Sequence, residues 1–152
     1  MTTVTPGASL AEFVNAEAPT PVGQVLAFFD ELPAVLREEM LGEWSGDLVP
    51  TGHPGEAQLD ALRWAGKRFT SDDDVNPLIC LDDAGERQVS DLLGAATLRT
   101  VAYRGVSTAT MVYDKQPIFD HFRRVDADTV LGAMDRKGEP EPLMFVLRRV
   151  AA

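Results

Sequence analysis

Residues 42–46 read Gly42-Glu43-Trp44-Ser45-Gly46, and this stretch predicts the fold of the whole chain. A tryptophan between two glycines suits the first strand of an up-and-down β-barrel, in which the indole ring closes one end. Glycine has no Cβ, so the backbone of a neighbouring strand can pass close to this ring. The stretch therefore indicates a barrel that encloses one small apolar molecule.

The apolar residues recur with a period of two from residue 67 onward, which is typical of β-strands. Short turn sequences rich in Asp, Gly and Pro interrupt this pattern, and short connections favour antiparallel neighbours. In addition to the strand that begins at Gly42, the predicted strands are residues 67–70, 77–82, 86–91, 95–104, 106–114, 118–126, 128–135 and 142–150. We therefore expect a mainly β fold, an antiparallel barrel of eight or nine strands.

Helical patterns precede the strands. Thr20-Pro21 predicts a helix start, and apolar residues at helical spacing continue to Leu32, just before Pro33. This helix, residues 21–32, is expected to be amphipathic and to pack beside the barrel or over an opening. A second short helix is predicted for residues 56–65, with Gly66 as its C-terminal stop.

The chain length of 152 residues favours a single domain with one substantial core. Residues 1–19 mix Thr, Pro, Gly, Ala and Glu, and they predict a flexible N-terminal arm in which a short helix over residues 9–16 is left open. The barrel domain is expected over residues 20–152. It comprises a helical lead-in at 20–41 and two halves at 42–91 and 92–150.

Composition disfavours several classes of partner. The net charge is −10 and the isoelectric point is near 4.5, so nucleic-acid phosphates and anionic membrane surfaces would repel the chain. No apolar run approaches the roughly 20 residues of a membrane span, and the N-terminus lacks a signal-peptide pattern. Cys80 is the single cysteine, which is typical of a reducing compartment. We expect a cytoplasmic protein that binds no nucleic acid and does not insert into a membrane.

Three stretches resemble the bacterial family that is named for its Gly-X-Trp-X-Gly motif. They are residues 42–46, Thr51-Gly52-His53-Pro54 and Trp64-Ala65-Gly66-Lys67-Arg68-Phe69. Residues 111–123 and 128–135 resemble the uncharacterised domain that habitually follows that motif. The resemblance implies a barrel over nearly the whole chain and no assigned activity. The motif is also similar to the first strand of lipocalins and of nitrobindin-like haem barrels, which implies a calycin-like fold.

The leading hypothesis is a barrel cavity that binds one small hydrophobic or amphipathic molecule, because the central strands mix polar and apolar residues on both faces. The candidate ligand-binding residues are Trp44, Arg99, Tyr103, Arg104, Met111, Tyr113, His121, Met134 and Phe145. Either of the two arginines would pair with an anionic head group if it pointed inward. An alternative interpretation keeps the aromatic residues as core and the arginines outside.

Other functions stay open at this point. Tyr113, Asp120 and His121 would supply acid–base groups to an isomerase, cyclase or hydratase if they shared one cavity. His121 would alternatively bind a haem iron, whereas no other cofactor and no metal site is predicted, since only His53 and His121 exist and lie far apart. A packed barrel that forms a homodimer is the last alternative. A register slip of one residue would exchange the inner and outer faces of these strands.

Overall fold

The computed structural model describes residues 5–151, in which nine antiparallel strands form one sheet. The strands are β1 (Gly42–Leu48), β2 (Trp64–Ser71), β3 (Asp74–Leu81), β4 (Arg87–Val89), β5 (Ala96–Tyr103), β6 (Val106–Tyr113), β7 (Ile118–Asp126), β8 (Thr129–Arg136) and β9 (Leu143–Arg149). Most strands are joined by short turns, which keep neighbours in the chain adjacent in the sheet.

The sheet closes on itself, because β1 pairs both with β2 and with β9. β2 pairs with β3, β3 pairs with β5 at Val75 and Ala96, and each later strand pairs with the next. β4 lies outside this circle and pairs only with β3 among the described strands. The result is a closed eight-stranded barrel with one extra strand, which confirms the predicted up-and-down architecture.

Four helices are present in the described part of the chain: α1 (Pro6–Val14), α2 (Val22–Glu31), α3 (Arg37–Met40) and α4 (Glu56–Ala61). Helix α1 overlaps the short helix left open at residues 9–16, and it packs on the barrel through Leu10, which is buried, instead of forming a loose arm. Residues 1–4 of that arm lie outside the described residues. Within residues 5–151, no helix combines the length and apolar character that a membrane crossing requires.

Two helix ends differ from the sequence expectation. Helix α2 begins one residue later than predicted, with Pro21 rather than Thr20 at the position before the first turn and no side-chain cap. Helix α4 ends at Ala61, and Gly66 lies inside β2 instead of stopping the helix. Its φ is +152°, and a Cβ at this position would lie 1.9 Å from the carbonyl oxygen of Trp44. Gly66 is therefore required for the close approach of β2 to β1.

The barrel has an inner core and an outer core. The inner core fills the barrel and contains Trp44, Met111, Phe122 and Phe145. The outer core lies between the barrel wall and helices α1 and α2. Its buried members are Leu10, Val25, Phe29, Leu32, Val49, Val125, Leu131, Ala133, Met144 and Val146. Strands β8 and β9 are consequently apolar on both faces, because one face contributes to each core.

Trp44 closes one end of the interior. Its ring is buried, its Nε1–H donates to the carbonyl of Met40 at 2.7 Å, and the guanidinium of Arg149 lies 4.3 Å from the ring centroid. We call this the closed end of the barrel, and the opposite end, beside α4, the open end. The space for a ligand is found at the open end.

Candidate functional site

A cavity of about 440 Å³ lies at the open end of the barrel. Helix α4, the loop at His53–Gly55 and the turn that follows β8 surround it. Its apolar wall consists of Leu59, Leu62, Trp64, Leu78, Leu93, Ile118, Met134, Leu143 and Phe145. Aliphatic and aromatic side chains of this kind exclude water and present a large contact area to a ligand.

A buried ion pair is the main polar feature of this cavity. Lys67 comes from β2 and Asp120 from β7, and Lys67 Nζ lies 3.0 Å from Asp120 Oδ2. The side chains are only 3% and 1% exposed, so both charges are removed from bulk water. Lys67 Nζ also donates to the carbonyl of Pro77 at 3.2 Å. Two buried charges persist in such a place because each neutralises the other.

Three aromatic rings surround the ammonium group of Lys67. Its Nζ lies 5.1 Å from the ring centroid of Phe145, 5.4 Å from that of Trp64 and 5.9 Å from that of Tyr113. The negative faces of aromatic rings attract a cation, and this attraction is stronger when water is excluded. The cavity therefore has a polar floor, formed by Lys67, Asp120 and Tyr113, inside an aromatic wall.

Burial changes the acid–base properties of this floor. Burial raises the pKa of the Asp120 carboxyl, and the Lys67 ammonium opposes that shift. Burial also raises the pKa of the Tyr113 hydroxyl well above its ordinary value, and the charge of Asp120 acts in the same direction. Tyr113 therefore keeps its proton at neutral pH and offers a hydroxyl group as a hydrogen-bond donor.

His53 and Glu139 connect two sides of the cavity mouth. The backbone N–H of Gly55 donates to His53 Nδ1 at 2.9 Å, so this nitrogen carries no proton. His53 Nε2 then donates to Glu139 Oε2 at 2.8 Å. The loop before α4 is thereby joined to the turn that precedes β9, and the imidazole serves as a connector with both nitrogens occupied.

The Gly-X-Trp-X-Gly stretch contributes to both ends of the barrel. Trp44 closes one end, whereas Gly46 makes room for Trp64 in the cavity wall. A Cβ on Gly46 would lie 2.3 Å from Cη2 of Trp64, far inside van der Waals contact. The ring of Trp64 in turn packs edge-on against Phe145, with ring centroids 5.7 Å apart. The second glycine of the motif therefore leaves room for the ring of Trp64, which forms part of the cavity wall.

Two family matches cover most of the chain. Residues 27–85 match the family described as GXWXG protein, and residues 94–149 match the family described as Domain of unknown function (DUF4334). The chain belongs to the GXWXG family. This membership confirms the resemblance that the sequence motifs indicate.

A solved structure is similar to this GXWXG protein over nearly its whole length. It is the crystal structure of a protein from Thermomonospora curvata, with 41% sequence identity and a TM-score of 0.89. The similarity covers 96% of this chain and 99% of that chain. Among curated proteins, no significant match is found. These comparisons support the family and the fold, and none of them names an activity.

The predicted site residues of the GXWXG protein fall into three groups. Tyr113, Met134 and Phe145 line the cavity, as does Asp120, the acid–base candidate of the sequence. Trp44 and Met111 are buried in the inner core without lining the cavity. The third group consists of Arg99, Tyr103, Arg104 and His121, and the structure places these four residues on the outside of the barrel.

The two arginines cannot meet a ligand inside the barrel. Arg99 is exposed and pairs with Asp73 at 2.9 Å. Arg104 follows β5 and pairs with Asp30 of α2 at 2.6 Å. Neither Arg99 nor Arg104 points inward, so neither meets an anionic head group there, because both side chains pair with carboxylates on the outer surface.

His121 also lies outside the cavity. Its ring stacks on Tyr103 at a centroid distance of 3.8 Å, its Nδ1 is 3.0 Å from Thr110 Oγ1, and its Nε2 is 3.5 Å from Asp135 Oδ2. Burial lowers the pKa of His121, and Asp135 opposes this shift. The register pairs Met111 with Asp120, which turns Asp120 inward and His121 outward. Tyr113 and Asp120 therefore share a cavity that His121 does not reach.

This placement removes the residue on which the haem hypothesis rests. One face of the His121 ring is covered by Tyr103, and the ring belongs to the outer surface beneath α2 rather than to the barrel interior. Across residues 5–151, no group of three or more His, Cys, Asp or Glu side chains is arranged to hold a metal ion.

Lys67 is the functional candidate that the sequence interpretation missed. It lies two residues before Phe69 on the face of β2 that points inward, and Asp120 lies between the inward residues Ile118 and Phe122. A charged residue that alternates with apolar residues on one strand face is a sign of a buried charge. Two such positions of opposite sign would have indicated an internal ion pair.

Proposed function

We propose that this protein binds one small, mainly apolar molecule in the cavity at the open end of the barrel. The observation that carries the proposal is the cavity itself, with about 440 Å³ of space, apolar walls and a polar floor. Ligand pockets commonly have volumes of roughly 300–1,000 Å³ and combine apolar walls with a few polar groups. This arrangement supports a calycin-like mode of binding, with one ligand in the end of the barrel.

The walls and the floor have different roles in this proposal. Contact with Trp64, Phe145 and Leu59 of α4 supplies the hydrophobic driving force, which amounts to roughly 25 cal/mol per Å² of apolar surface removed from water. Lys67, Asp120 and the hydroxyl of Tyr113 orient the ligand, because hydrogen bonds in a water-poor site have strict geometric requirements.

Binding is favoured over the acid–base enzyme of the sequence interpretation for a geometric reason. That enzyme needs Tyr113, Asp120 and His121 in one cavity, and His121 lies on the other face of β7. The strongly acidic composition and the single buried Cys80 support a cytoplasmic location and a small molecule as the partner.

The test is native mass spectrometry of the protein purified from its own host, followed by denaturing extraction of any retained molecule. Leu59→Trp places a large ring in the cavity, since Leu59 lines it from α4. Ala57→Trp is the matched control, because Ala57 is exposed on the same helix. We expect a retained small molecule in the wild type and in Ala57→Trp, and a reduced amount in Leu59→Trp.

The same variants can be compared after adding an environment-sensitive apolar dye to the purified protein. Dye that binds the wild type and Ala57→Trp but not Leu59→Trp supports occupation of the cavity. Failure of all three proteins to retain a molecule or to bind the dye would overturn the proposed function. Equal binding by all three would place the bound molecule outside this cavity and would also contradict it.

A further inference from the structure

The hydrogen-bonding groups of Lys67 are largely occupied. An ammonium group has three N–H donors. One is directed to Asp120 Oδ2 at 3.0 Å and another to the carbonyl of Pro77 at 3.2 Å. The aromatic rings of Trp64 and Phe145 lie beside the same nitrogen at 5.4 and 5.1 Å. Asp120 therefore neutralises Lys67, and two of its three N–H donors already have acceptors.

Asp120, in contrast to Lys67, has a free hydrogen-bonding atom, because one of its two oxygens lacks a partner. Oδ2 accepts from Lys67, whereas Oδ1 is buried and has no hydrogen-bond partner among the described residues. A buried acceptor without a donor costs about 1–3 kcal/mol, and more when it carries charge. Asp120 lines the cavity, so a donor on the bound molecule would remove this cost.

We propose that the cavity selects a molecule with an apolar body and one uncharged hydrogen-bond donor, a hydroxyl or an N–H group, which donates to Asp120 Oδ1. This inference rests on the proposed function and narrows the class of ligand. An alcohol, a phenol or a neutral N–H heterocycle fits the site. A carboxylate at the same place would face the free oxygen of Asp120 while Lys67 is already paired, and the other cation that lines the cavity is Arg136.

Four probes with one common body test the proposal: para-propylphenol, para-propylanisole, propylbenzene and para-propylbenzoate. The phenol has a donor, the anisole has only an acceptor, the hydrocarbon has neither, and the benzoate is an anion. We expect the phenol to bind about ten- to hundredfold more tightly than the anisole in calorimetric titrations, since a hydrogen bond to a charged group has this magnitude. The benzoate should bind most weakly.

The variant Lys67→Met with Asp120→Leu removes both charges and retains apolar volume, a kind of replacement that buried ion pairs commonly tolerate. In this variant we expect the phenol and the anisole to bind with equal affinity. The matched control is Arg104→Met with Asp30→Leu, which removes an ion pair from the outer surface. The control should retain the preference for the phenol.

The outcomes separate this inference from the proposed function. If none of the four probes binds, or if Leu59→Trp does not reduce their binding, the proposed function fails. If the probes bind in the cavity and the phenol has no advantage over the anisole, the proposed function stands and the inference fails. Tighter binding of the benzoate than of the phenol would also overturn the inference, because a cation that lines the cavity, Lys67 or Arg136, would then recognise the ligand.

Discussion

The two oxygens of the buried Asp120 carboxylate differ in their hydrogen-bond partners. It lies on β7 between Ile118 and Phe122, whose side chains fill the inner core. Because Lys67 donates to Oδ2, the two carboxylate oxygens are no longer equivalent. A proton that binds this carboxyl is therefore directed to Oδ1, the oxygen that has no partner among the described residues.

This asymmetry predicts that pH changes the preferred ligand. Burial raises the pKa of Asp120 above its ordinary value of 3.8, although Lys67 opposes the shift. Above that raised pKa, Oδ1 accepts a hydrogen bond and the phenol probe is preferred. Below it, Oδ1–H is a donor, so the anisole probe should lose its disadvantage.

Calorimetric titrations of both probes at decreasing pH check this prediction, with a circular dichroism spectrum at each pH to confirm that the fold persists. The variant with Lys67→Met and Asp120→Leu is the control and should show no such change. A phenol-to-anisole affinity ratio that stays constant across the titration of Asp120 would contradict the assignment of Oδ1 as the acceptor.

The positions of the later strands could be predicted well from the sequence, whereas which face of a strand points into the barrel could not. Turn residues mark the ends of β5 to β9, so the observed bounds lie within a residue or two of the predicted ones. The inner and outer faces of β8 and β9 are both apolar, because α1 and α2 cover the outer face. Strand β7 is likewise largely buried on both faces, so alternation alone does not show whether Tyr113 and His121 share the interior.

The Gly-X-Trp-X-Gly strand allows a prediction about β1 and the cavity wall. Gly46→Ala should destabilise the protein by about 1–3 kcal/mol, because its Cβ would overlap the ring of Trp64 and force it to move. Gly23→Ala is the matched control, since nothing lies within 4 Å of a Cβ at that helical position. The control should be neutral or stabilise by up to about 1 kcal/mol.

Urea unfolding of the two glycine variants gives the free energies, and tryptophan fluorescence reports the surroundings of Trp44 and Trp64 together. We expect Gly46→Ala to weaken binding of the apolar dye as well, because Trp64 lines the cavity. If Gly46→Ala is as stable as the wild type and binds the dye equally well, the second glycine of the motif does not determine the position of Trp64 in the cavity wall.

The whole molecule combines a tightly packed closed end with an open end that contains a buried ion pair. A barrel interior filled with apolar side chains needs no such pair, and desolvation of two charges can exceed their mutual attraction. We therefore expect Lys67→Met with Asp120→Leu to be as stable as the wild type or more stable. Each single substitution should cost about 3–5 kcal/mol, since it leaves one buried charge without a partner.

Urea unfolding of the wild type, the two single variants and the double variant forms a complete cycle that checks this prediction. The outer pair Arg104→Met with Asp30→Leu provides the comparison, and its loss should cost no more than about 1 kcal/mol because both side chains are partly exposed. If the double variant is as unstable as the single variants, the ion pair stabilises the barrel. A stable double variant that no longer distinguishes the phenol from the anisole would show that Lys67 and Asp120 serve ligand selection rather than folding.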